Sequence, residues 1–80
     1  MSDVRERAKE IVAKHLDFDI EKIDDSTRFV EDMRSDSLDI IELAMAFEEA
    51  LHIDVPDDVI ENTHTFGEMV KFLEGASAQV

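Results

Sequence analysis

The sequence predicts a small all-α domain with three longer helices and one short helix. Its 80 residues suffice for one domain. Only two Gly and one Pro leave few turn residues for a β-rich chain. In several stretches, apolar residues recur at three- and four-residue steps, the period of an amphipathic helix. We therefore expect a single domain over residues 1–80, with residues 76–80 as a frayed tail.

The charge balance excludes several classes of partner. Asp and Glu number 21 against eight Lys and Arg, giving a formal net charge of -13. Such a chain repels nucleic acid and anionic membranes, whereas it attracts basic protein surfaces. The chain has no Cys, which excludes disulfides, thiolate metal sites and a thiol nucleophile of its own. No apolar run predicts a secretory signal or a membrane span, so we expect a cytoplasmic protein. We also expect it to be a monomer.

The first helix is predicted over residues 3–16, with Ser2 as its cap and Asp3 in its first turn. Periodicity then fails over residues 17–36, which predict a long loop between helices 1 and 2 with room for one helical turn. Loops of this length are uncommon and often functional. Single apolar side chains are expected to pin the loop to the core: Phe18, Ile20, Ile23, Phe29, Val30 and Met33.

Three further helices follow the loop. Asp36 predicts the cap of a helix that runs to about Leu51, with Asp39 as the acid in its first turn. Pro56 and the acids after it predict a brief helix carrying Val59 and Ile60. The last helix begins at a Thr65–Glu68 capping box and is expected to stop at Gly75. Its predicted core residues are Phe66, Met69, Val70 and Leu73.

Helix 2 carries two apolar stripes when its residues are placed about 100° apart. The broader stripe is the predicted core face: Ile40, Leu43, Ala44, Phe47 and Leu51. The narrower stripe, which faces outward, contains Leu38, Ile41 and Met45. Acids border it: Asp36, Asp39, Glu42, Glu48 and Glu49. We name these eight residues the acid-edged strip. The strip predicts contact with a partner protein that has a basic groove with an apolar floor. The alternative is that these apolar residues are exposed without a function, as single apolar residues often are.

Ser37 is the candidate for covalent modification. A hydroxyl in the first turn of a helix lies among unpaired backbone N–H groups and at the positive end of the helix dipole. That location stabilises a phosphate ester. A serine there can equally serve as a simple helix cap, and the local pattern leaves both interpretations open.

The sequence around Ser37 resembles the acyl carrier proteins of fatty-acid and related synthesis over nearly the whole chain. The similarity lies in the runs Arg-Phe-Val-Glu-Asp-Met at 28–33, Asp-Ser-Leu-Asp at 36–39, Glu-Leu-Ala-Met-Ala-Phe-Glu-Glu at 42–49 and Ile-Asp-Val-Pro-Asp at 53–57. The resemblance implies a four-helix bundle that is a carrier, not an enzyme. It also implies that a phosphopantetheinyl transferase moves 4′-phosphopantetheine from coenzyme A onto Ser37.

The resemblance assigns further roles. The acid-edged strip corresponds to positions that contact acyl-transferring and synthase enzymes through their basic docking grooves. The resemblance also implies that the acyl chain is sheltered among Leu43, Phe47, Ile60, Val70 and Leu73. One departure is Arg34-Ser35, where many members have a small pair such as Gly-Ala. Glycine there would ease a positive φ, and Arg34 suggests a carrier for a dedicated pathway.

Several alternatives remain beside this interpretation. Ser35 is the rival attachment point, two residues from Ser37. A peptidyl or aminoacyl carrier would use the same cofactor, and an unmodified acidic helical adaptor would use none. The histidines have no spacing that indicates a metal site or a base for Ser37, so we expect neither a specific metal site nor a hydrolase triad. They are His15, His52 and His64.

Overall fold

The structure, a computed structural model, describes residues 3–78, with side chains to residue 76. It contains α1 (Asp3–Leu16), α2 (Ser37–Leu51), α3 (Asp57–Asn62) and α4 (Phe66–Ala78). A single 3-10 turn, Ile20–Lys22, interrupts the loop between α1 and α2. Residues 3–78 form no strand beyond one isolated bridge between Arg28 and Thr65. The predicted all-α architecture with three longer helices and one short helix is therefore confirmed.

The helix ends agree with the prediction except at the C-terminus. The bounds of α1 and α2 are those predicted, whereas the Ser2 cap lies outside the described residues. The predicted stop at Gly75 was wrong, because α4 continues to Ala78. Gly75 lacks the positive φ that ends a helix at a glycine, so its backbone simply continues the helix. The last two residues of the predicted frayed tail lie outside the described residues.

The core lies between α1, α2 and α4. The face of α2 predicted to be buried does pack inward, and the four predicted core residues of α4 are all buried. Among the residues whose side chains the structure describes, 13 apolar residues are buried, and they come from the three long helices, the α1–α2 loop and the α2–α3 connection: Ala8, Val12, Ile23, Phe29, Met33, Leu43, Ala44, Phe47, Val55, Phe66, Met69, Val70 and Leu73. None of the six residues of α3 is fully buried. The short helix therefore covers the bundle without entering its centre.

Only some of the loop side chains expected to reach the core do so. Phe29 and Met33 are buried, because one turn closes between them: the amides of Asp32 and Met33 both donate to the carbonyl of Arg28. Val30 lies on the outside of that turn and is 54% exposed. Ile20 begins the 3-10 turn and is 38% exposed. The prediction was therefore wrong for Val30 and Ile20. It is confirmed for Ile23, Phe29 and Met33, which are buried, and Phe18 is half-buried.

The long loop is tied to the connection between α3 and α4 by backbone hydrogen bonds. Phe29 N donates to His64 O at 3.1 Å, Phe66 N to Thr27 O at 2.9 Å, and Gly67 N to Asp25 O at 3.0 Å. The last contact needs glycine, because a Cβ on Gly67 would lie 2.8 Å from both the Cβ and the carbonyl oxygen of Asp25. Nearby, a hydrogen bond from the Ser26 hydroxyl lowers the pKa of Asp24 and orders the same turn.

The capping box predicted for the last helix is confirmed. Glu68 N donates to the Thr65 hydroxyl and Thr65 N donates to Glu68 Oε1, both at 3.2 Å. The same carboxylate oxygen accepts from His64 N at 2.8 Å. These backbone N–H groups favour the ionised form, so the pKa of Glu68 lies below its ordinary value. The Thr65–Glu68 capping box therefore fixes the α3–α4 connection, to which the long loop is hydrogen-bonded.

Gly67→Ala should destabilise the protein by about 1–3 kcal/mol, because the added methyl group meets the Asp25 backbone. Helix propensity acts in the opposite direction, favouring Ala by about 1 kcal/mol. Gly75→Ala is the matched control, since a Cβ added there would meet nothing within 4 Å and its φ is not positive. It should stabilise by about 0.5–1 kcal/mol. Urea unfolding measures the free energy of unfolding of both variants. A change in the same direction for both would contradict the close contact between Gly67 and Asp25.

Phe47→Ala should cost about 3–5 kcal/mol, because Phe47 is fully buried at the centre of the core. Met45→Ala, two residues away on the exposed side of α2, should change stability by less than about 0.5 kcal/mol. Thermal unfolding of the two variants tests the assignment of the faces. A Phe47→Ala protein that melts like the parent would overturn it.

Candidate functional site

The start of α2 is capped by Asp36, not by Ser37. Asp36 has extended backbone angles (φ -103°, ψ -176°) and its Oδ1 accepts a hydrogen bond from Asp39 N at 2.9 Å. In return, Asp36 N donates to Asp39 Oδ2 at 3.2 Å. Both predicted acids are therefore engaged in a reciprocal capping box. Ser37 is the first residue of the helix, so the alternative in which it serves only as the cap is wrong.

The hydroxyl of Ser37 is exposed and makes no side-chain hydrogen bond to another described residue. The first four N–H groups of a helix lack partners within it. Here the amides of Asp39 and Ile40 donate to Asp36. Within residues 3–78, this leaves the amides of Ser37 and Leu38 for water or for an anion on Ser37. The residues present therefore fit an esterified phosphate at this hydroxyl.

Ser35 has a different environment, although it lies only two residues away. It is 5% exposed, and both its hydroxyl and its backbone amide donate to the carbonyl of Phe29. Modification of Ser35 would break both the burial and the hydrogen bond. The structure thus separates the two serines that the sequence left as rivals, and it leaves Ser37 as the accessible one.

Arg34 has a left-handed backbone conformation with φ 57°. The sequence raised this possibility because glycine would ease a positive φ at that position. For a residue with a Cβ, the left-handed region costs about 1–2 kcal/mol. The conformation turns the chain between buried Met33 and buried Ser35 and delivers it to Asp36. The side chain of Arg34 is exposed at this corner.

The apolar members of the acid-edged strip are exposed on α2, as predicted. Leu38, Ile41 and Met45 are 63%, 46% and 59% exposed. Three of the acids that border them are also exposed, and Asp39 is half-buried: the exposed acids are Asp36, Glu42 and Glu49. Three neighbouring apolar side chains left in water form a surface that a partner can cover.

Glu48 departs from the predicted pattern. It is half-buried, and its Oε2 accepts a hydrogen bond from Val55 N at 2.8 Å. The chain reverses at His52, which has φ 55°, and brings the amide of buried Val55 back to α2. A buried amide needs an acceptor. This carboxylate therefore holds the α2–α3 connection in place, a role that the sequence did not predict, and its part in partner binding stays a prediction.

A cleft of about 400 Å³ opens beside Ser37 between the long loop, α2 and α3. Its wall is mainly apolar, with polar and acidic residues at its edges: the lining is Phe29, Val30, Glu31, Ser37, Ile40, Ile41, Ile60, Glu61, Thr63 and His64. Of the five residues that the resemblance implied as a lining, only Ile60 is among them. The other four are buried in the core: Leu43, Phe47, Val70 and Leu73.

The three histidines lie apart on the surface. All are exposed, and only His64 reaches the edge of the cleft. Within the described part of the chain, no group of three or more His, Asp or Glu could hold a metal ion. The same part contains no helix long and apolar enough to cross a membrane.

Comparison with known proteins agrees with this geometry. Residues 6–73 match the phosphopantetheine attachment site family. The fold resembles the crystal structure of an acyl carrier protein from Thermotoga maritima with a TM-score of 0.80 and 22% sequence identity, over 96% of this chain and 94% of that chain. The family match spans most of the chain and includes the segment around Ser37. The chain therefore belongs to the phosphopantetheine attachment site family of carrier proteins, whose covalent cofactor is 4′-phosphopantetheine.

Proposed function

We propose that Ser37 is the attachment residue and that the chain is an acyl carrier for fatty-acid, polyketide or other specialised acyl-pathway enzymes. The observation that carries the proposal is an exposed hydroxyl at the start of α2, next to two free amides and at the mouth of an apolar cleft. Ser35, the neighbouring hydroxyl, is buried and hydrogen-bonded. When attached, 4′-phosphopantetheine supplies the thiol that this Cys-free chain lacks and holds acyl groups as thioesters.

The cleft supports an acyl group over a peptidyl or aminoacyl group. Phe29, Ile40 and Ile60 offer an apolar wall close to Ser37. Covering an apolar chain there removes hydrocarbon surface from water, which stabilises the carried group by about 25 cal/mol for each Å² covered. The acids at positions 36 and 39 also favour the acyl class, because peptidyl carriers often have a glycine pair and His before the serine.

The acid-edged strip is the proposed docking surface for the phosphopantetheinyl transferase and for acyl-transferring and synthase enzymes. Leu38, Ile41 and Met45 supply the apolar contact. Exposed Glu42 and Glu49 supply the negative border that attracts a basic groove. We expect the carrier to act as a cytoplasmic monomer, and Arg34 suggests a dedicated pathway.

Incubation with coenzyme A and a broad-specificity phosphopantetheinyl transferase should add one phosphopantetheine to the parent protein, measured as intact mass. Ser37→Ala should abolish the addition, because it removes the only exposed hydroxyl at the start of α2. Ser35→Ala is the matched control and should still be loaded. Loading of Ser37→Ala would move the attachment elsewhere, and an unloaded parent would favour the unmodified adaptor.

Glu42→Lys with Glu49→Lys should slow association with the transferase by about 3–10-fold at low salt, because charges at the border of an interface act mainly on encounter. Stability should change little, since both side chains are exposed. Stopped-flow binding measures the rate. The control is Glu6→Lys with Glu10→Lys, which makes the same change in net charge at exposed positions of α1. Equal slowing by both pairs would count against the acid-edged strip.

A further inference from the structure

Arg34 is an isolated cation in the most acidic part of the chain. Between Arg34 and Lys71 the sequence contains Asp and Glu residues but no Lys or Arg. Arg28, the nearest cation toward the N-terminus, is already in an ion pair with Glu31 at 2.7 Å. Arg34 is exposed and makes no ion pair with another described residue. Its guanidinium is therefore available to an anion that the polypeptide itself does not supply.

The backbone holds Arg34 in a fixed place relative to Ser37. On one side, Met33 N donates to Arg28 O at 3.1 Å, and on the other, Ser35 N donates to Phe29 O at 3.0 Å. Both flanking residues are buried, at 6% and 5% exposed, so the positive φ of Arg34 lies at an outward corner. Three residues of chain span at most about 11 Å. An extended arginine side chain can therefore reach an ester group on Ser37.

Two carboxylates beside Ser37 act against a phosphodiester there, although the start of the helix favours one. Asp36 precedes it, and Asp39 follows within the same turn of α2. The reciprocal capping box keeps both carboxylates beside the helix start. Two free amides favour an anion there, but the adjacent carboxylates repel it. A guanidinium offsets this repulsion and matches phosphate oxygens with two parallel N–H donors.

We propose that the guanidinium of Arg34 binds the phosphodiester formed at Ser37 and thereby positions the base of the phosphopantetheine arm. Arg34 is in this sense a positioning residue. The inference rests on the proposed attachment at Ser37. This inference gives a function to the left-handed backbone conformation of Arg34. That conformation holds the guanidinium near Ser37, where the modified protein gains a negative charge.

The test compares unmodified and loaded forms of the parent, Arg34→Asn, Arg34→Lys and Lys71→Asn. Asn tolerates a positive φ and removes the charge, whereas Lys keeps the charge without the paired donors. Lys71→Asn is the control, because it removes an exposed cation from α4. Intact mass confirms loading, and thermal unfolding then gives the change in Tm caused by the arm in each protein. Because each change in Tm is taken between the loaded and unmodified forms of the same protein, the effect of the substitution on the unmodified fold cancels.

At low salt, loading should lower the Tm of Arg34→Asn by about 1–8 °C more than it lowers the Tm of the parent. This range is that of an exposed ion pair in a domain of this size. Arg34→Lys should lie between them, and Lys71→Asn should match the parent. The difference should shrink in about 1 M salt, where the screening length is about 3 Å. The ³¹P resonance of the loaded protein should move in Arg34→Asn and stay in place in Lys71→Asn.

Two results would overturn the inference, and they are distinguishable. If all proteins are loaded but Arg34→Asn shows the same change in Tm and the same ³¹P resonance as the parent, Arg34 does not bind the ester and the attachment at Ser37 stands. If the parent gains no mass, or gains it at a residue other than Ser37, the attachment itself fails and the role of Arg34 fails with it.

Discussion

The arrangement of the candidate site depends on one set of contacts, the backbone hydrogen bonds that join the long loop to the connection before α4. Without them, residues 17–36 would be a flexible tether with no defined path to α2. The bonds from Phe29 to His64 and from Gly67 to Asp25 hold the loop against the bundle. Ser35 then folds back onto Phe29, and the chain emerges at Asp36 in the geometry of a helix cap. The exposed hydroxyl of Ser37 follows from this path.

The second constraint is that α2 serves two surfaces at once. Phe47 and its neighbours pack into the core, while Leu38, Ile41 and Met45 remain in water on the other side. Because these three side chains are only about half covered, each forgoes part of the roughly 1.5–3 kcal/mol that full burial would contribute. A domain of 80 residues has little stability to forgo. This cost supports the proposal that the strip is a docking surface.

Periodicity and capping patterns were enough to predict the four helices, the core face of α2 and the boxes at Asp36 and Thr65, since these depend on residues within one or two turns. The hydrogen bond of Glu48 was missed because its partner, Val55 N, reaches it only after the chain reverses at His52. Val30 was misassigned because a turn divides neighbouring apolar residues between core and solvent. The lining of the cleft was not predicted because its wall combines the loop, α2 and α3.

The sequence by itself determined the helical class, the acidic character, the absence of a thiol in the chain and the candidate serine. All of these are properties of composition or of short segments, where local geometry leaves few alternatives. The tertiary structure alone decided which serine is accessible, which acid is structural and where an apolar group can lie beside Ser37. Those outcomes depend on contacts between residues far apart in the chain, and burial and pairing at such contacts exist only once the loop and helices have packed together.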